Sequence, residues 1–159
     1  MSSLCQRGGR KMTRVASLAL LLLSACDMLP HDPAGTSTRI EHSRTFTVAL
    51  ADPAISSAPQ VGRLVAEIER RTNAHAQWRS GSGESLFQQL DDGSLDLVIG
   101  RFTADSPWAT GVAFAPALST SDIGDAQIEL KAAMRNGENR WIMTVERASR
   151  TISQEARNQ

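Results

Sequence analysis

Apolar residues recur along this chain with two periods, one of two residues and one near 3.6, and the switches between them mark out its elements. Thr45-Phe46-Thr47-Val48-Ala49-Leu50 alternates as a strand and stops at Ala51-Asp52-Pro53. Val61, Leu64, Val65 and Ile68 then fall at i, i+3, i+4 and i+7, while Arg63, Glu67, Arg70 and Arg71 take the opposite side. That spacing predicts a helix capped by Ser57, with Pro59 in its first turn. Ala74 to Arg79 predicts a second strand on which His75 is exposed. The stretch from Trp78 to Pro116 organises the rest. A Gly-rich turn leads to a short helix with Leu86, Phe87 and Leu90 on one face, Ser82 or Glu84 as its cap and Asp91-Asp92-Gly93 as its stop. The apolar run Leu95 to Ile99 follows at once, which is the pattern of a buried parallel strand.

After it come a long loop, Arg101 to Thr110, and a short strand, Val112 to Ala115. Ser119 to Asp125 is polar, Ile128 to Met134 alternates as a strand, and Arg135 to Asn139 is a turn. Trp141, Ile142, Val145 and Ala148 give a last helix its apolar face. The alternation of strands and helices predicts an α/β fold, a three-layer sandwich around a mostly parallel sheet.

Composition adds limits. The chain has 159 residues, 41% hydrophobic and 21% charged, as one globular domain has. Its formal net charge is zero, but Arg7, Arg10, Lys11 and Arg14 are all the charge before residue 26. The remainder is mildly acidic, with no basic patch, so a nucleic-acid partner is not expected. Both cysteines, Cys5 and Cys26, lie at the N-terminal end, which leaves the folded part no structural disulfide and no thiolate metal site.

Arg10 to Arg14 is a positive segment, and Val15 to Leu23 is an apolar run too short to span a bilayer, so residues 1–25 are expected to be a signal peptide. The run ends in Leu23-Ser24-Ala25-Cys26, which resembles the lipobox of bacterial lipoproteins. That resemblance implies acylation of Cys26, palmitate included. The competing reading is a plain secretory peptide with an incidental cysteine. Met12 begins a complete compact signal, which leaves Cys5 without a role. Asp27 resembles an inner-membrane retention signal, so the expected location is the periplasmic face of the inner membrane rather than the outer membrane. Residues 26–44, with Pro30, Pro33 and Gly35, are expected to be a flexible tether in which His31 and His42 are solvated rather than metal ligands. The domain is then 45–153, and 154–159 is a C-terminal tail.

No nucleophile with a base, carboxylate pair or metal cluster stands at working spacing, so neither an enzyme nor a cofactor is expected. Gly81-Ser82-Gly83-Glu84-Ser85 looks like a nucleophile elbow, but a strand-to-helix turn with a capping serine accounts for it.

Leu86, Leu90, Gly93, Asp96, Val98, Ile99, Gly100 and Thr103, followed by Val112, Phe114 and Pro116, stand in an order that resembles the bacterial extracellular solute-binding proteins. The match is to their polar amino-acid type, family 3, in the first lobe of the type II periplasmic-binding fold. The returning strand, the turn Arg135-Asn136-Gly137-Glu138 and the last helix extend it over Phe46 to about Ile152. The resemblance implies a first strand lying between the second and third. It also implies a second lobe inserted between the strand near Phe114 and the strand near Ile128, yet only Pro116 to Gln127 separates them. A lobe needs about 100 residues to bury its own core. The expectation is therefore a one-lobed relative.

By the same resemblance Thr103 matches the loop threonine that bonds the ligand, Trp108 occupies the place of the carboxylate-holding arginine, and Asp52 matches a loop aspartate. The candidate ligand-binding residues are thus Asp52, Ser82, Arg101, Thr103 and Trp108. On this reading Arg101 and Thr103 donate hydrogen bonds to a polar or anionic group and Trp108 offers a flat contact. The alternative is that Phe102 and Trp108 plug the open end of the sheet. The expected function is a membrane-anchored, periplasmic solute-binding-like lipoprotein, the receptor of a membrane transporter or a sensor, with a small polar solute. The other reading is an interaction scaffold that docks an envelope protein.

Overall fold

The structure is a computed structural model that describes residues 31–157, so the expected signal peptide, Cys26 and Asp27 lie outside the described residues. Helix α1 (Thr36–Ser43) leads into β1 (Thr45–Leu50), a 3-10 turn (Pro53–Ser57), α2 (Pro59–Thr72) and β2 (His75–Arg79). Then come α3 (Glu84–Asp92), β3 (Leu97–Thr103), a second 3-10 turn (Pro107–Thr110), β4 (Val112–Phe114), β5 (Ser119–Ile123), β6 (Ala126–Arg135) and α4 (Asn139–Arg157). Among the described residues no helix is long and apolar enough to cross a membrane.

The strand order is β2-β1-β3-β6-β4, with β5 also paired to β6. β1 runs parallel to β2 and to β3, and β6 runs antiparallel to β3, β4 and β5. All strands but β6 therefore point one way, and the sheet is mostly parallel with β1 between β2 and β3, as expected. Alternation sends Phe46, Val48, Leu97, Ile99, Ala132 and Met134 to one face, under Ile40 of α1, the Val61–Ile68 stripe of α2 and Trp141, Val145 and Ala148 of α4. Ala49, Val98, Phe102 and Ala133 go to the other face, under Leu86, Phe87 and Leu90 of α3. The result is the expected three-layer α/β sandwich.

Several local expectations need correction. The segment read as a flexible tether is helical over Thr36–Ser43 and docked, with Ile40 buried. Its caps come from far away in sequence: Glu138 accepts the Ala34 and Thr36 amides at 2.8 and 2.9 Å. Asp32 in turn accepts the Ser37 amide at 2.9 Å and the Arg140 amide at 2.6 Å. A short polar helix held largely by a remote carboxylate has only a weak local signature. The residue before α2 is Ala58, without a side-chain cap, because Ser57 closes the 3-10 turn instead. Neither Ser82 nor Glu84 caps α3, where the N-cap is Gly83 at φ 62° with no side-chain bond.

At the other end of α3, Asp92 accepts the Ser94 hydroxyl and amide at 2.6 and 2.8 Å, and these bonds hold its carboxyl below the usual carboxylate range. The expected loop after the third strand begins later, since β3 continues through Thr103. The polar stretch Ser119 to Asp125 forms β5, an exposed strand turned into β6 at Gly124 with φ 61°. α4 runs to Arg157, so the expected tail is mostly helix.

Trp141 is 1% exposed, tilts against Phe46 at 5.7 Å and donates its indole N–H to the Asp96 carbonyl at 2.8 Å. Trp141→Ala is expected to cost roughly 3–5 kcal/mol in denaturant unfolding. A loss below about 1 kcal/mol would mean that α4 is not docked through this residue.

Candidate functional site

In open α/β sheets the carboxyl ends of the strands are where ligands bind. Here β1 ends at Leu50, and the chain turns at Asp52, whose Oδ1 accepts the Ala54 amide at 2.9 Å to start the Pro53–Ser57 turn. Buried Ile55 fixes that turn to the core. β2 ends at Trp78-Arg79 and continues through Ser80 and Gly81 toward α3. A Cβ at Gly81 would lie 2.4 Å from Cδ2 of Leu86, so any other residue here would require that buried leucine to shift. Between these two chain ends lies an open groove of about 310 Å³, walled by Leu50, Pro53 and Ser56 on one side and Trp78, Arg79, Ser80 and Gly81 on the other.

Trp78 is 52% exposed and is one of the exposed large apolar side chains of the domain, with Ile123. Arg79 makes no ion pair among the described residues, and the hydroxyls of Ser56, Ser80 and Ser82 make no hydrogen bond among them. β2 is an edge strand, and in a parallel ladder alternate residues turn their amides away from the partner. Glu69 accepts the Ala76 amide at 2.9 Å, which blunts the edge at one end and leaves the Trp78 end open.

The structure distributes the expected site residues unevenly. Asp52 and Arg101 come together at 3.4 Å, both about half exposed, beside the groove. Such an exposed pair contributes little stability, but it occupies the carboxylate. Ser82 lies one residue beyond the groove wall. Thr103 is the last residue of β3, in register with Ile128. Trp108 stacks on Phe87 with centroids 4.2 Å apart and planes 8° from parallel. Phe102 adds an edge contact to Phe87 at 6.0 Å and packs on Phe114 at 4.9 Å. Trp108 is thus part of an aromatic cluster under α3 and does not wall the groove.

The residues that do wall it, Trp78 and Arg79 above all, fit a strand pattern so well that nothing else marked them. The available signal was an aromatic and a cation in succession at a strand end, before a Ser-Gly turn.

Motif positions that look functional prove structural. A Cβ at Gly100 would lie 2.8 Å from both the Ala51 Cβ and the Phe102 ring. Asp96 is buried and bonded to β1 and α1. Lys131 is also buried, pairing with Glu129 at 2.7 Å and lying 4.4 Å from the Phe114 ring centroid.

This architecture is that of one lobe of a type II periplasmic-binding protein, the fold of the solute-binding proteins of amino-acid transporters. No protein-family profile matches the sequence, and no curated protein matches it. Solved structures do. The arginine-bound form of domain 1 from TmArgBP matches with TM-score 0.59 and 18% identity over 71% of this chain and 97% of that one. AbpA from Streptococcus pneumoniae, an amino acid ABC transporter substrate-binding protein bound to L-arginine, matches with TM-score 0.63 and 8% identity over 75% and 93%. The ancestral amino acid-binding protein AncCDT-1, described as a precursor of cyclohexadienyl dehydratase, matches with TM-score 0.62 and 10% identity over 76% and 94%. At these identities the likeness is one of fold.

Replacing Trp108 tests its place in the cluster. Trp108→Ala is expected to cost about 2 kcal/mol or more of stability, as truncation of a packed aromatic does. Its effect on any ligand response from the groove should be negligible. An unchanged denaturation midpoint would remove Trp108 from the packing of α3.

Proposed function

We propose that this protein is a membrane-anchored solute-binding lipoprotein of the bacterial envelope, serving as the receptor of a transporter or as a sensor, and that it holds a small polar solute in the groove between β1 and β2. The observation that carries this reading is the groove's position at the carboxyl ends of adjacent parallel strands, with an exposed Trp78 and an Arg79 that makes no ion pair among the described residues in its wall. The arginine-bound domain 1 of TmArgBP supports it as well, because there too a single domain is the form that carries the solute. Binding is favoured over catalysis because the groove wall offers no histidine or carboxylate to act as a base. Anchoring rests on Leu23-Ser24-Ala25-Cys26 behind its charged and apolar segments.

A second reading, an interaction scaffold that retains the lobe without capturing a solute, draws on the short Pro116–Gln127 connection, which leaves the groove open on one side. Thermal unfolding against a panel of free amino acids and small carboxylates separates the two. A solute at 100 times its dissociation constant adds about 2.7 kcal/mol to the folded state, several degrees in Tm for a domain of this size. A flat response to the whole panel would leave the scaffold.

The anchor has its own test. Cys26→Ala is expected to move the protein from the detergent phase to the aqueous phase on detergent partitioning. Retention in the detergent phase would overturn lipidation at Cys26.

A further inference from the structure

We infer that the groove between β1 and β2 takes a small organic carboxylate with an apolar or aromatic body and no cationic group, and that it does not take arginine. This rests on the reading of that groove as the solute site. Charge gives the first reason. Arg79 walls the groove, and no carboxylate does. Asp52, adjoining Pro53 of the wall in the chain, is committed twice, through Oδ1 to the Ala54 amide at 2.9 Å and through Oδ2 to Arg101 at 3.4 Å. A guanidinium entering here would meet a like charge and no free anion, and an α-ammonium would find no carboxylate in the wall.

Hydrogen bonding gives the second reason. A carboxylate accepts several donors at once, and the Ser56 and Ser80 hydroxyls in the wall have no partner among the described residues.

Shape gives the third. Leu50, Pro53 and the half-exposed Trp78 ring make the rest of the wall apolar, and a flat body stacks on the indole without needing polar partners. At about 310 Å³ the groove lies at the small end of ligand sites, which suits a single ring with a short acid chain.

The experiment titrates the full-length anchored protein in detergent with indole-3-acetate, its uncharged counterpart indole-3-acetamide, L-tryptophan and L-arginine, reading Tm and calorimetric affinity. Indole-3-acetate is expected to raise Tm and to bind at least tenfold more tightly than indole-3-acetamide, and L-arginine is expected to leave Tm unchanged. Arg79→Gln should bring the affinity for the acid down to that for the amide, with the ligand-free Tm unaltered because Arg79 is exposed and makes no ion pair among the described residues. Trp78→Ala should weaken acid and amide alike.

If L-arginine binds as tightly as the acid, the charge assignment falls while solute binding stands. If Arg79→Gln keeps full affinity for the acid, the assignment of Arg79 falls. If none of the four compounds, nor any member of the wider amino-acid and carboxylate panel, shifts Tm, both the inference and the solute-binding reading fall.

Discussion

The layers of this domain meet at one buried carboxylate. Asp96 is 3% exposed, and its oxygens accept the Thr47 amide at 2.8 Å, the Thr47 hydroxyl at 2.9 Å and the guanidinium of Arg39. Its own amide donates back to the Thr47 hydroxyl oxygen at 3.1 Å, and its carbonyl receives the Trp141 indole at 2.8 Å. A carboxylate taken out of water is tolerated only when its oxygens are satisfied. The donors here come from β1 and α1, while the peptide that carries the acid holds α4. The pairing of β1 with β3 and the docking of two helices therefore depend on one another. The Arg39 side chain remains about half exposed, which lowers the desolvation cost of the pair.

A second pair of acids makes the same kind of link at the ends of two helices. Asp32 precedes α1 but accepts amides from the first turn of α4, while Glu138 precedes α4 but accepts amides at the start of α1. Each helix N-terminus gains an anion from the segment ahead of the other, and Asp32 also accepts the Ser37 amide of α1 itself. An eight-residue helix with Ile40 as its main apolar anchor is marginal alone. It persists here because the cost of ordering it is shared with α4.

This explains which parts of the fold were legible in the sequence. β1, α2, α3, β3 and α4 carry strong periods over long enough runs to be read directly, and the sheet order followed from the resemblance that Gly93, Asp96 and Gly100 support. α1 was invisible because Asp32 is its one local anchor, while Glu138 and Arg140, which complete its hold, lie about a hundred residues away. β5 was invisible because its five residues are all exposed and polar except Ile123, so backbone pairing with β6 alone defines it. The candidate site was half legible. Asp52 and Arg101 stand where the strand ends put them, but Trp108 is half-buried against α3 because the Phe87 ring offers it a stacking partner. Trp78 and Arg79 went unnoticed because strand periodicity was enough to account for them.

The short connection between β4 and β6 also decides how a ligand in the groove would act. Two lobes closing over a solute exclude water, which strengthens each charge interaction inside and creates a closed state that a partner can recognise. One lobe does neither. In an open groove two unit charges 4 Å apart attract by about 1 kcal/mol at the dielectric of water, against about 4 kcal/mol where the effective dielectric is near 20. On the proposed reading an Arg79 contact would select sign more than supply affinity, and most of the binding would come from apolar area laid on Trp78, at about 25 cal/mol per Å². With no lobe to close, occupancy changes the surface and leaves the shape as it was. On the proposed reading a partner would sense it by touching the groove, the ligand and the open edge of β2 together, so a solute receptor and a docking scaffold would use one surface.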